Sequence, residues 1–158
     1  MSIDGVRLEV WWSRLTAIVD EAASAMLRTA FSTIIRESND YTVVLMNSSG
    51  ERIADCRVGI PAFAVLIASL TRELLARFPV DTWCEGDCVI TNDPWIGTGH
   101  LPDVATVTPI FHAGTLVGFA GTAARRPARS PTSASLTIAG TARCASARGR
   151  STSSTPAR

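Results

Sequence analysis

Twelve consecutive residues concentrate the side chains able to do chemistry: Asn92-Asp93-Pro94-Trp95-Ile96-Gly97-Thr98-Gly99-His100-Leu101-Pro102-Asp103. His100 and Asp103 stand three apart across Leu-Pro and offer an imidazole nitrogen and a carboxylate oxygen. A turn at Pro102 can aim both at one divalent cation. Asp93 can add another oxygen, or can instead cap the turn begun at Asn92. Mixed nitrogen and oxygen ligation of this kind suits Zn, Mn or Fe. Spacing alone leaves two readings open, a metal site and a structural hydrogen bond, because an isolated His-x-x-Asp is common. The prolines stiffen the segment and the glycines let it bend, as a site scaffold requires.

Other chemistries find no support in the residues. Gly97-Thr98-Gly99 lacks both the lysine of a phosphate-binding loop and the GxGxxG spacing. There is no GxSxG nucleophile motif, and Cys84 and Cys88 have no evident histidine partner. His112 falls in a tight turn and is expected to face solvent.

The elements that must position this loop follow from periodicity. From Leu8 to about Ile35, apolar residues recur every three to four positions, which predicts a long amphipathic helix. Trp11 and Trp12 at this spacing are expected to pack in the core or a subunit interface. Tyr41 to Met46 and Glu51 to Ala54 read as strands around the turn Asn47-Ser48-Ser49-Gly50. A second helix is expected from Pro61 or Phe63 to Phe78, with proline tolerated in its first turn and Pro79 as its stop. Cys88 to Thr91 reads as a strand entering the loop. Val104 to Phe111 and Thr115 to Thr122 follow as two strands joined at His112-Ala113-Gly114. Two helices and about five mostly antiparallel strands joined largely by hairpins define an α+β fold.

Charge divides the chain. Residues 1–124 hold eight arginines and all fourteen acids, a net −6, whereas residues 125–158 hold seven arginines and no acid, a net +7. The latter segment is mostly Arg, Ser, Ala and Thr and has too little apolar surface to offset chain ordering, so a disordered tail is expected there. The organisation read from this is a foldable part over 1–124 and a tail over 125–158. At 46% hydrophobic residues over the whole chain, there is enough apolar surface for the foldable part to bury a core. The longest apolar run, Ala62 to Ala68, is far short of the roughly 18 residues of a membrane helix, so no membrane span is expected. The first ten residues lack an apolar stretch after a basic start, so no secretory signal is expected and a cytoplasmic location is. The cysteines, Cys56, Cys84, Cys88 and Cys144, form no CxxC pair and are expected to be free thiols in that compartment.

The run Thr91 to Val104, with Val107-Thr108-Pro109-Ile110-Phe111 and Gly114 to Phe119 after it, closely resembles the hydantoinase B/oxoprolinase family. Met26 to Ser32, Ile35 to Asp40 and Gly86-Asp87 extend the resemblance over about residues 8–124. It implies a subunit that works with a hydantoinase A-type partner, which handles ATP, in hydrolytic opening of cyclic amides such as hydantoins or 5-oxoproline. A relative branch carboxylates ketones. The resemblance implies a divalent metal held by residues matching His100 and Asp103, with a third ligand from a later A-H-x-x-D-[IV]-G-G segment. Metal there would do Lewis-acid work.

The chain departs from the pattern where it matters for that ligand. After Ala123-Ala124 the family continues with His, whereas this sequence has Arg125-Arg126-Pro127. The expectation is a hydantoinase B-type fragment, frameshifted near residue 124 and inactive alone, with a hetero-oligomer as the intact assembly. A basic nucleic-acid-binding arm on a non-catalytic domain is the rival reading, and the absence of aromatic residues in the tail speaks against it. Sequencing the coding DNA from about codon 115 checks this expectation. A second frame running through A-H-x-x-D-[IV]-G-G is expected, and its absence assigns the basic tail to the protein itself.

Overall fold

The computed structural model describes residues 4–30, 33–125 and the strand 136–139. Helix α1 (Gly5–Thr29) is followed by a short α2 (Thr33–Ser38), strands β1 (Tyr41–Asn47) and β2 (Arg52–Asp55), and helix α3 (Pro61–Arg77). Strands β3 (Cys88–Thr91), β4 (Asp103–His112), β5 (Thr115–Arg125) and β6 (Leu136–Ala139) complete the order. They form one sheet, β2-β1-β5-β4-β3-β6, in which every neighbouring pair is antiparallel. The α+β reading is therefore met, with β1 to β5 as the expected strands. No helix among the described residues is long and apolar enough to cross a membrane.

The sheet is covered on both faces at β1, which explains why Tyr41 to Met46 is an apolar run interrupted only by Thr42. Alternate side chains go to opposite layers. Val44 and Met46 join Ile67, Leu70 and Leu74 of α3 and Val89, Val107 and Phe119 of the sheet. Tyr41 and Val43 join Val19 and Ala23 of α1, with Ala54 and Cys56. Trp83 seals the α3 side, its ring edge-on to Phe119 at 5.2 Å and its indole N–H donating to the Phe78 carbonyl at 2.9 Å.

Several boundaries differ from those read in the sequence. The first helix ends at Thr29, not near Ile35. Ala30 turns to an extended conformation (φ −69°, ψ 125°), and the Thr29 hydroxyl donates back to the carbonyls of Ala25 and Met26. Apolar spacing continues through α2, so periodicity could not reveal the break. The face of α1 carrying Trp11 and Trp12 is not core: these rings are 46% and 53% exposed, and Arg7 lies 5.7 Å from the Trp11 ring centroid. Strand β5 runs three residues beyond Thr122, because Ala123 and Ala124 pair with β1 and Arg125 pairs with Asp103.

The expected disordered tail lies outside the described residues over 126–135 and 140–158. Within it, Leu136–Ala139 pairs antiparallel with β3, against the reading that gave this segment no element. The four residues include Leu136 and Ile138, two of the few apolar residues there, and β3 offers them a sheet edge of unpaired backbone groups. Cys56 and Cys88 are free thiols as expected, but Cys84 is disulfide-bonded. Spacing along the chain offers only Cys88 as a nearby partner, and Cys88 is not that partner.

Helix α3 approaches the sheet closely at a glycine. A Cβ on Gly121 would run into the Ile67 methyl Cγ2 and crowd the Met46 side chain. Gly121→Ala is expected to destabilise the fold by about 1–3 kcal/mol through overpacking. Adding Ile67→Leu, which moves the branch away from Cβ, recovers part of that loss. Urea unfolding of the single and double variants checks both, and an unchanged midpoint for Gly121→Ala contradicts this packing.

Candidate functional site

The 92–102 segment bridges β3 and β4 at one end of the sheet, and its own side chains hold it in shape. Asp93 accepts the Trp95 N–H at 2.9 Å, while the Asp93 N–H is donated to the Thr91 hydroxyl at 3.0 Å. These bonds cap a single π-helical turn, Pro94–Thr98. Gly97 lies against Leu70 of α3, where a longer side chain would meet the leucine methyls. The Thr98 hydroxyl sits 3.0 Å from the His100 carbonyl and 3.4 Å from that of Asp103, and Asn92 donates to the Leu101 carbonyl at 3.4 Å. Gly99, at φ 81°, takes the left-handed conformation that turns the chain into His100. Trp95, 93% exposed, borders an open recess of about 480 Å³ with Pro94, Gly99, His100, Leu101 and Pro102.

At the mouth of β4, Asp103 is fully buried, and His100 Nε2 lies 3.0 Å from its Oδ2. Register brings Arg125 opposite Asp103. The guanidinium then spans three groups. Its Nη2 is 3.0 Å from His100 Nε2, its Nε 3.8 Å from Asp103 Oδ1, and its Nη1 3.3 Å from Asp40 Oδ2. Asp40 is itself buried just before β1, and its carbonyl accepts the Arg125 N–H at 3.1 Å.

Arginine can only donate, so a bond from Nη2 uses an unprotonated Nε2, whereas an ion pair with Asp103 Oδ2 uses a protonated one; the same His100 nitrogen stands within reach of both partners. His100 Nε2 and Asp103 Oδ2 thus face each other beside the guanidinium. Neither Asp103 oxygen accepts a well-formed hydrogen bond from the described residues, so its compensation is ionic through His100 and Arg125. Burial raises the Asp103 pKa above the ordinary carboxylate value, and the nearby Asp40 adds to the rise; His100 and Arg125 pull it down without cancelling it.

The pairing of His100 with Asp103 is the one the sequence suggested. Asp93 does not join them; its carboxylate serves the cap. Among the described residues no three His, Cys, Asp or Glu side chains converge as a metal-holding group. Asp40 and Arg125 are the members that sequence reasoning misses. Asp40 carried a signal in the motif at the end of α2, but only sheet register brings it to a partner 85 positions away. His100 and Asp103 have the donor chemistry for a divalent cation. With Arg125 holding Nε2 and both carboxylates, however, the cluster of this chain does not accommodate a resident metal. His112 is exposed in its turn, as expected.

The raised Asp103 pKa has a definite consequence for stability. Above the folded-state value, the ionised carboxylate burdens the fold. As pH falls from there toward the ordinary value near 3.8, Asp103 protonates first in the folded state and the burden is relieved. Asp103→Asn is therefore expected to unfold at higher urea than the parent at pH 7, by on the order of 1 kcal/mol, with the gap closing as pH falls toward 4. A variant weaker at every pH would mean that the ion pairs of Asp103 outweigh its desolvation.

Comparisons with known proteins cover the region that builds this cluster. Residues 4–126 match the model of the hydantoinase B/oxoprolinase family. A 5-oxoprolinase of Dictyostelium discoideum is 31% identical over 121 residues, which are 74% of this chain and 9% of that protein. A putative D-/L-hydantoinase B-type subunit of Pseudomonas sp. strain NS671 is 28% identical over 124 residues, 77% of this chain and 21% of that protein. The nucleotide-free structure of acetone carboxylase superposes with a TM-score of 0.66 at 25% identity, over 74% of this chain and 16% of that one. The ATP-dependent caprolactamase of Pseudomonas jessenii shares the fold, with a TM-score of 0.67 at 22% identity over 80% of this chain and 21% of that one. The chain thus spans about a tenth to a fifth of the length of these relatives. Since the match takes in both faces of the sheet, the 92–103 loop and all four members of the polar cluster, the chain belongs to the hydantoinase B/oxoprolinase family.

Proposed function

We propose that residues 4–126 form the N-terminal part of a hydantoinase B-type subunit, whose complete protein takes part in ATP-dependent hydrolytic opening of cyclic amides such as hydantoins or 5-oxoproline. The observation that carries this reading is the His100 and Asp103 pair, 3.0 Å apart at the end of the sheet and within the family match. The open recess bordered by Trp95, Pro94 and Pro102 lies beside His100 and has room for a small ring. In this reading ATP is handled by a hydantoinase A-type partner, the intact assembly is a hetero-oligomer, and the compartment is the cytoplasm. A divalent cation (Zn, Mn or Fe) is what the family resemblance implies for residues matching His100 and Asp103, where it would supply Lewis-acid chemistry; the cluster of this chain, with Arg125 among those donors, does not hold it as it stands. This chain alone is inactive, because a site with so few of its donors cannot hold a reacting group in place.

The chain's own residues have positioning roles here. Asp93 and Thr91 hold the π turn that presents Trp95, and Thr98 anchors the loop at both His100 and Asp103. Asp103 holds its charge out of water beside the His100 imidazole. A ketone carboxylase subunit is the second reading, favoured by the likeness to acetone carboxylase at 25% identity.

A chimera tests the proposal. Residues 1–124 replace the matching part of the Pseudomonas hydantoinase B-type subunit, and the product is assayed with a hydantoinase A-type subunit and ATP on hydantoin, 5-oxoproline and acetone. Ring opening is expected. His100→Ala in the chimera is expected to lower turnover by about 100-fold or more, the scale of losing one transition-state stabilising group. Undiminished turnover in that variant rejects the site, and carboxylation in place of ring opening selects the second reading.

A further inference from the structure

We propose that the apolar flank of α1 formed by Leu8, Trp11, Trp12 and Ile18 is a contact within the complete hydantoinase B-type subunit, docked by an uncharged apolar surface of the portion that this chain does not span. The inference rests on the reading above that residues 4–126 are part of such a subunit, and on nothing about its substrate.

Only part of α1 is anchored within this chain. Val19 and Ala23 are buried in one cluster with Tyr41, Val43 and Ala54, and Leu15, Met26 and Leu27 pack around them. From Asp4 to Arg14, by contrast, every residue is exposed. At 1.5 Å per residue, Gly5 to Arg14 span about 15 Å of helix that the sheet does not bury. A helix that stands in solvent carries polar residues all round. This one does not. Leu8, Trp12, Leu15, Val19 and Ala23 succeed one another at steps of three and four, so the stripe that packs on the sheet runs on past it toward the N-terminus. Trp11 and Ile18, seven apart, lie beside that stripe and widen it. The sheet covers its C-terminal half, and nothing among the described residues covers the rest: Leu8, Trp11, Trp12 and Ile18 are between 46% and 54% exposed. Arg7 borders the patch, its guanidinium 5.7 Å from the Trp11 ring centroid. The four side chains themselves offer no charge to an ionic partner, so the surface that fits them is apolar.

The size of the patch selects the occupant. Two indoles of about 150–250 Å² each and two aliphatic side chains, half covered already, leave roughly 450 Å² to bury. That is short of the roughly 800 Å² per partner of a stable complex between free chains, which argues against a second copy. A surface of the same polypeptide loses no translational freedom on docking, so a patch of this size suffices for it. The relatives have the chain to supply one. The match takes in 21% of the Pseudomonas hydantoinase B-type subunit, which leaves about four-fifths of that protein outside it.

The test is hydroxyl-radical footprinting of the peptide carrying Trp11 and Trp12, read by mass spectrometry in the 158-residue chain and in the chimera described above. Both indoles are expected to oxidise readily in the 158-residue chain and several-fold more slowly in the chimera by itself. Equal oxidation in the two overturns the proposal. Protection that appears only when the hydantoinase A-type subunit is added also overturns it, and assigns the patch to that partner. Protection in the 158-residue chain that grows with its concentration assigns the patch to a second copy instead. A chimera that is protected yet opens no ring supports the docking and rejects the substrate reading, whereas one that opens rings with both indoles still exposed does the reverse. Should the chimera not fold, the intact Pseudomonas subunit is footprinted over the stretch matching α1, where protection is expected and free oxidation rejects the contact.

Discussion

The antiparallel register of β1, β5 and β4 is the constraint on which the rest of this structure depends. Each strand begins or ends at the same end of the sheet, so Asp40 before β1, Arg125 at the end of β5 and Asp103 at the start of β4 must lie side by side. These residues are up to 85 positions apart in the chain, and no local preference brings them together. A slip of one residue in either pairing would turn the side chains of the moved strand to the opposite face and scatter the cluster. What prevents the slip is burial on both sides of β1, where Val44 and Met46 are committed to α3 and Tyr41 and Val43 to α1.

The polar cluster is therefore held by an apolar framework that gains nothing from it. A fully buried carboxylate with no hydrogen bond from the described residues is a burden that ion pairs to His100 and Arg125 only partly offset, which the upward shift of its pKa expresses. Residues that weaken a fold and are nonetheless placed so exactingly by it are candidates for function. The loop before Asp103 shows the same division. Gly97 and Thr98 are buried against the framework, while Trp95 and His100 are turned outward beside an open recess.

Much of this was legible in the sequence because the signals were periodic or local. The proline start of α3, the strand runs at β1, β3 and β4 and the tight turn after His112 were all read from spacing and composition. The end of α1 was not, since apolar residues keep helical spacing through α2 and the break at Ala30 lies in backbone dihedrals. Nor was β6, whose pairing depends on the free edge of a strand more than 40 residues earlier. Trp11 and Trp12 illustrate the limit of a moment argument. Helical spacing assigns them to an apolar face but does not say what covers that face, and within this chain they stay exposed.

By itself, the sequence determined which kinds of element form, where the chemically capable loop lies, and that His100 and Asp103 belong together three residues apart. Those properties come from neighbours along the chain. Only the tertiary structure decided the rest: that Asp93 is spent on a turn, that Asp40 is part of the cluster, and that Arg125, which the sequence presented as the loss of a ligand, is the cation among the remaining donors. The physical reason is that charge compensation in a buried site is settled by proximity in space, and strands from distant parts of the chain acquire that proximity only when the sheet closes around its core.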